Sequence, residues 1–150
     1  MIKLNKKNNF TNMKKLILSL CLILGFSAAF AQKSNVAKAE NYTLQEKPDF
    51  AAAREAIKAA MQDVKTKSDA KTYFTAGMIG FKENEAFNTK MILDAKSVDP
   101  LAKGKAIMEA YKYFLIADSL DKLPNAKGKI KPRFGKKIKD NLKELYNGQH

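Results

Sequence analysis

Hydrophobic residues fall along the chain as one continuous block and then a series of helical stripes. The block covers residues 16–31 and is interrupted only by Ser19, Gly25 and Ser27. Residues 32–48 are polar and without period, so they read as a flexible leader. From Asp49 onward the apolar positions recur at steps of three and four, the spacing of one helix face. Phe50, Ala53, Ile57, Ala60 or Met61, and Val64 form the first stripe, with Asp49 placed to cap it. A second helix over about residues 70–82 presents Tyr73, Phe74, Ala76, Gly77, Ile79, Gly80 and Phe81. Glycine costs a helix interior about 1 kcal/mol against alanine. Close approach of a neighbouring backbone is the expected compensation for Gly77 and Gly80.

The pattern weakens over residues 83–99, where Phe87, Met91 and Ala95 suggest a short helix. Pro100 then suits a first helical turn, and a third strong helix runs to about Lys122. Ala106, Ile107, Met108, Ala110, Tyr111, Phe114, Leu115 and Ala117 make it apolar around most of its circumference. Such a helix needs cover on several sides and is expected to be the central element. Residues 123–128 break it. A last helix over about residues 132–147 places Phe134, Ile138, Leu142 and Leu145 on one face and mostly lysines on the other. The predicted fold class is all-α, with antiparallel helix hairpins stacked on one another.

The N-terminal block has the layout of an export signal. Lys14 and Lys15 precede the apolar run, and Ala29-Phe30-Ala31 offers small residues at the first and third positions before a cut at Gln32. The run of 16 residues is shorter than the roughly 20 a membrane-spanning helix needs. The expected organisation is an N-terminal extension and cleavable signal peptide over 1–31, the leader over 32–48, and one helical domain over 49–150. No transmembrane segment is expected in the mature chain, which would work in the periplasm or at the outer membrane surface of a bacterium.

Removing that segment changes what composition means. The formal charge of the whole chain is +13, and the five lysines before the cut take the mature domain to +8. Seven further basic residues lie within 127–139 without an acid, which leaves the remainder at +1. The basicity is therefore local. Lys127, Lys129, Lys131, Arg133, Lys136 and Lys137 are either an anion-binding stretch or a solvated outer face. An anionic envelope component would suit them. No nucleic-acid fold is recognisable, and no nucleic-acid partner is expected.

Candidate chemistry narrows in the same way. Cys21, the only cysteine, lies in the presumed signal, and the only histidine is His150. Thiolate, disulfide and histidine chemistry lack their residues in the mature domain. The carboxylate pairs Glu83/Glu85 and Asp118/Asp121 read as surface charge. No phosphate-cradling glycine loop or nucleophile motif occurs. No catalytic residue, cofactor or metal is expected.

One family resemblance emerges from the helical stripes. The tetratricopeptide repeat has Trp-x2-Leu-Gly-x2-Tyr in its first helix and Ala-x3-Phe-x2-Ala in its second, with a proline after it. The run from Tyr73 through Ala76, Gly77 and Phe81 resembles the first half, with Gly80 where the pattern has tyrosine. Ala110, Phe114 and Ala117 match the second half, and Pro124 falls two residues late. Ala53-x3-Ile57-x2-Ala60 resembles the same half of a preceding repeat. Residues 83–100 separate the halves, so the chain is similar to a divergent or interrupted repeat of the exported bacterial type. The resemblance implies a scaffold or adaptor for a protein partner, with Tyr73, Tyr111 and Tyr113 serving either as groove or as core.

Overall fold

The computed structural model describes residues 35–148. The signal-cleavage residues Ala29, Ala31 and Gln32, and the rest of the expected signal peptide, lie outside the described residues. Among the described residues the regular structure is entirely helical. Residues 35–44 form α1; α2 is Phe50–Gln62, α3 Ala70–Leu93, α4 Pro100–Asp121 and α5 Gly135–Asn147, with a 3-10 turn at Ala95–Ser97 between α3 and α4.

Aspartates start most of these elements. The side chain of Asp49 accepts from the Ala52 N–H, Asp69 from Lys71, Asp94 from Lys96 and Asp99 from Leu101. Each satisfies a donor that the first helical turn leaves without a partner. α5 has no such cap of its own. Its entry is held instead by Asp121 at the end of α4, whose Oδ2 accepts from the N–H groups of Arg133 (2.8 Å) and Phe134 (2.7 Å).

Consecutive helices pack on one another: α2 on α3, α3 on α4 and α4 on α5, with α5 also reaching α3. The arrangement is a set of stacked helix hairpins, as the periodicity predicts. Two apolar clusters result. One joins Val36 and Ala39 of α1 to Ala53, Ile57 and Ala60 of α2 and to Ala76 and Ile79 of α3. The other joins Phe81 of α3 to Ala110, Phe114 and Ala117 of α4 and to Ile138 and Leu145 of α5.

Several expectations are corrected. The polar leader carries a helix: Val36 and Ala39 pack into the first cluster, and the buried Thr43 hydroxyl donates to the Ala39 carbonyl. Too few apolar residues occur there to mark a stripe. The weak segment after residue 82 is not a separate short helix, because α3 runs unbroken to Leu93. The central element is α3, which supplies both clusters, rather than α4. Val64 lies past the end of α2 and is exposed. Pro124 is exposed in the turn after α4 and packs into neither cluster.

The glycines do what close packing requires. A Cβ on Gly80 would lie 2.5 Å from the Ala106 carbonyl oxygen and 2.9 Å from the Ala110 nitrogen. A Cβ on Gly77 would lie 2.5 Å from the Phe114 ring. α3 and α4 therefore cross at nearly backbone contact.

Candidate interaction surface

α4 is apolar on two sides, and only one of them is covered. Successive residues turn by about 100° around a helix axis, so Ala106, Ala110, Phe114 and Ala117 share the side buried against α3 and α5. Leu101, Met108 and Leu115 lie on the opposite side with Tyr111 beside them. Met108 is 74% exposed and Tyr111 52%. Hydrophobic periodicity identifies such residues but does not say which of two apolar faces will be covered.

α5 converts this face into a groove of about 540 Å³, lined by Ile107, Met108, Tyr111 and the one charged residue Lys112 from α4 and by Leu142, Leu145 and Tyr146 from α5. Leu145 is buried and its neighbours grade outward to the exposed Tyr146. The groove thus has a fixed floor and a pliable, aromatic and thioether rim. Methionine and tyrosine are enriched where protein surfaces meet, and contiguous exposed apolar area marks interaction sites more often than scattered single residues do.

The basic stretch is ordered by turns and ion pairs. Asn125 Oδ1 accepts from the N–H groups of Lys127 and Lys129, and Gly128, at φ 70°, closes the turn with a hydrogen bond to the Asn125 carbonyl. Arg133 is committed elsewhere: its guanidinium pairs with Asp69 at 2.8 Å and lies 3.8 Å from Asp121. Lys136 pairs with Asp140, which holds the ammonium pKa up and the carboxyl pKa down. Lys127, Lys129, Lys131 and Lys137 are exposed. Of the six residues expected to bind an anion, four therefore face solvent with no ion pair among the described residues.

The residues expected to pack as repeat positions do come together, except Pro124. Ala76, Ala110, Phe114 and Ala117 are buried, Phe81 meets the Phe114 ring edge-on, and Tyr73 lies 6.3 Å from Tyr113 between ring centroids. Tyr73 and Tyr113 are half-buried packing residues, whereas Tyr111 faces outward.

The carboxylates are less uniform than surface charge. Asp121 is buried and holds the entry to α5. Glu83 belongs to an ion triad in which Arg54 of α2 bridges Glu83 of α3 and Glu109 of α4; Arg54 Nε lies 2.9 Å from Glu109 Oε2. The hydrogen bond to Glu83, aided by Glu109 and opposed by burial, pushes the guanidinium pKa up. Beside it, burial and then Glu109 push the Tyr113 hydroxyl pKa up. The triad ties three helices, with one cation shared between two carboxylates. No signal in the sequence linked Arg54 to residues 29 and 55 positions away. Among the described residues no group of three or more metal-ligating side chains is gathered, and no helix is long and apolar enough to cross a membrane.

No protein family, curated protein or solved structure matches the chain.

Proposed function

We propose that the chain is an exported helical-repeat protein that acts as a scaffold or adaptor in a bacterial cell envelope, binding a protein partner in the groove between α4 and α5. The observation that carries this reading is the second apolar face of α4. It has the residue types of an interface and a partly built wall in α5, and α3 occupies the opposite side. Export rests on the N-terminal sequence pattern.

The relation to tetratricopeptide repeats belongs to the same proposal. Gly77 and Phe114, one from each half of the motif, meet at the α3–α4 crossing. The pair α3–α4 spans residues 70–121, longer than the roughly 34 residues of one such repeat. The residues between the halves lengthen α3 to Leu93 and form the short 3-10 connection to α4, in keeping with a divergent unit.

A second reading has its own observation: Lys127, Lys129 and Lys131 stand exposed in or just after an ordered turn, and Lys137 is exposed on α5. They would suit an anionic envelope polymer or lipid. Photo-crosslinking from position 111 in intact cells separates the two. A reproducible protein partner is expected, and Met108→Glu should remove it while charge reversal at Lys129, Lys131, Lys136 and Lys137 leaves it. The reverse pattern would favour the basic stretch, and no reproducible partner would sink the scaffold reading.

A further inference from the structure

We propose that the cleft between the C-terminal halves of α3 and α5 is a binding site for a neutral saccharide, held by the carboxamides of Asn84, Asn88 and Asn147. The cleft encloses about 490 Å³ between α3 and α5, whereas the groove of the proposed protein partner lies between α4 and α5. Pockets of about 300–1,000 Å³ are the size that takes small molecules.

Asn84 sets this cleft apart from the other surfaces. The residue is 8% exposed, and its Oδ1 has no hydrogen-bond partner. Among the described residues the other buried polar side chains, Thr43, Thr66, Thr72, Thr75 and Asp121, each have one. A buried acceptor without a donor lowers stability, and in a native protein such an orphan calls for a reason. An apolar side chain at position 84 would continue the stripe of Phe81 without that cost. The chain instead places an asparagine there, where it lines the cleft.

The lining around Asn84 narrows the ligand. Phe81 and Leu145, 4% and 3% exposed, close the floor and leave almost no apolar area open. Asn88 stands one turn beyond Asn84 on the same face of α3, and Asn147 lines the cleft from the end of α5. The charges at the rim cancel. Glu85 pairs with Lys82 at 2.6 Å and Asp140 with Lys136 at 2.7 Å, while Lys143 and Glu144 add one charge of each sign.

An anion or a cation gains no net attraction from such a rim, and an acyl or aromatic body finds no open floor. A carboxamide is both donor and acceptor, and so is a hydroxyl. Neighbouring ring hydroxyls can therefore donate to an Oδ1 and accept from an Nδ2 of the same side chain. The buried Asn84 oxygen comes within reach when the amide turns about its terminal bond, a broad and soft torsion. A ligand hydroxyl then supplies the missing donor.

In the isotope-labelled full chain, the side-chain amide signals of Asn84, Asn88 and Asn147 report on the cleft directly. Titration with maltose, cellobiose and diacetylchitobiose should shift these signals saturably with at least one disaccharide, and glycerol at equal hydroxyl concentration should not. Asn84→Leu should weaken that disaccharide by about tenfold through the lost hydrogen bonds. It should also raise the urea midpoint more than Asn88→Leu, which gains the same helix propensity without relieving a buried acceptor. Asn147→Ala, at an exposed position, should weaken binding with the midpoint unchanged. No saturable shift with any of the three disaccharides, equal shifts with glycerol, or a lower midpoint for Asn84→Leu than for wild type would overturn the proposal. The last result would mean that ordered water alone partners Asn84. Tighter binding of an acetylated alanine tripeptide amide would also overturn it and assign the cleft to peptide main chain.

Discussion

The two sides of α4 are both apolar and are built from different residues. Toward α3 the helix offers Ala106, Ala110 and Ala117 around the single large Phe114, all buried. Away from α3 it offers Leu101, Met108, Tyr111 and Leu115, all exposed to varying degrees. Small residues stand where another backbone comes within contact distance, and large flexible ones stand where no helix of the described residues is seated. Side-chain size therefore separates the two sides where hydrophobicity does not. A close-packed interior has no room for change, whereas an open face tolerates it until a partner arrives.

The comparison is broken most severely from the inner side. Phe114 is fully buried and touches the rings of Phe74 and Phe81, at 5.8 and 6.3 Å between centroids. Truncation to alanine removes the side chain at the centre of the second cluster, where α3 and α4 already cross near backbone contact and cannot close further on the space. Phe114→Ala is expected to cost about 4 kcal/mol, read as a fall in the urea midpoint with unchanged slope. A loss below about 1 kcal/mol would mean that the crossing is not packed as described.

Adding atoms to the same crossing should cost less but still be plain. In an open helix Gly80→Ala would be stabilising by about 1 kcal/mol. Here the new Cβ meets the Ala106 carbonyl and the Ala110 nitrogen, both main-chain atoms. Separating two backbones typically costs 1–3 kcal/mol, which outweighs that gain, so a net loss of about 1 kcal/mol is expected in denaturant titration. Gly77→Ala tests the other kind of neighbour, since it meets the Phe114 ring.

These sites also show what could be read from the chain. The two glycines in an otherwise helical run announced a close crossing, and the repeat spacing at Ala110, Phe114 and Ala117 marked its other side. The all-helical class, the boundary at Pro100 and the apolar stripes follow from local chemistry alone. Three features did not. α1 gives only Val36 and Ala39 to the apolar cluster, too sparse a stripe for periodicity to register. The Arg54 triad depends on three distant charges meeting, which no local pattern encodes. Which apolar side of α4 is covered among the described residues depends on how the helices pair, which the stripes of one helix do not encode.

A smaller effect should appear at the margin of the inner side. Burial and Glu109 hold the Tyr113 hydroxyl above its ordinary pKa, so folding favours its protonated form. The unfolded tyrosine ionises near pH 10. Stability from this group is therefore complete below that value and falls as pH rises through the raised pKa. Tyr113→Phe should flatten the decline in urea midpoint between pH 9 and 11 relative to wild type. A parallel decline in both proteins would remove Tyr113 from the account.

The smallest effect belongs to the outer side and sharpens the comparison most. Met108 and Leu115 lie seven residues apart, close to two turns, on the face opposite the buried alanines. Replacing both with glutamine removes apolar area that water already reaches, and glutamine is as good a helix former as methionine. Surface substitutions of this kind usually stay within about 0.5 kcal/mol, so the urea midpoint should hardly move. Binding should behave oppositely, because a partner seated in the groove would lose the same apolar contacts that folding does not use. Met108→Gln with Leu115→Gln should keep wild-type stability and lose crosslinking from position 111. A large loss of stability would show that this face is already covered within the molecule, and the distinction between the two sides of α4 would fall with it.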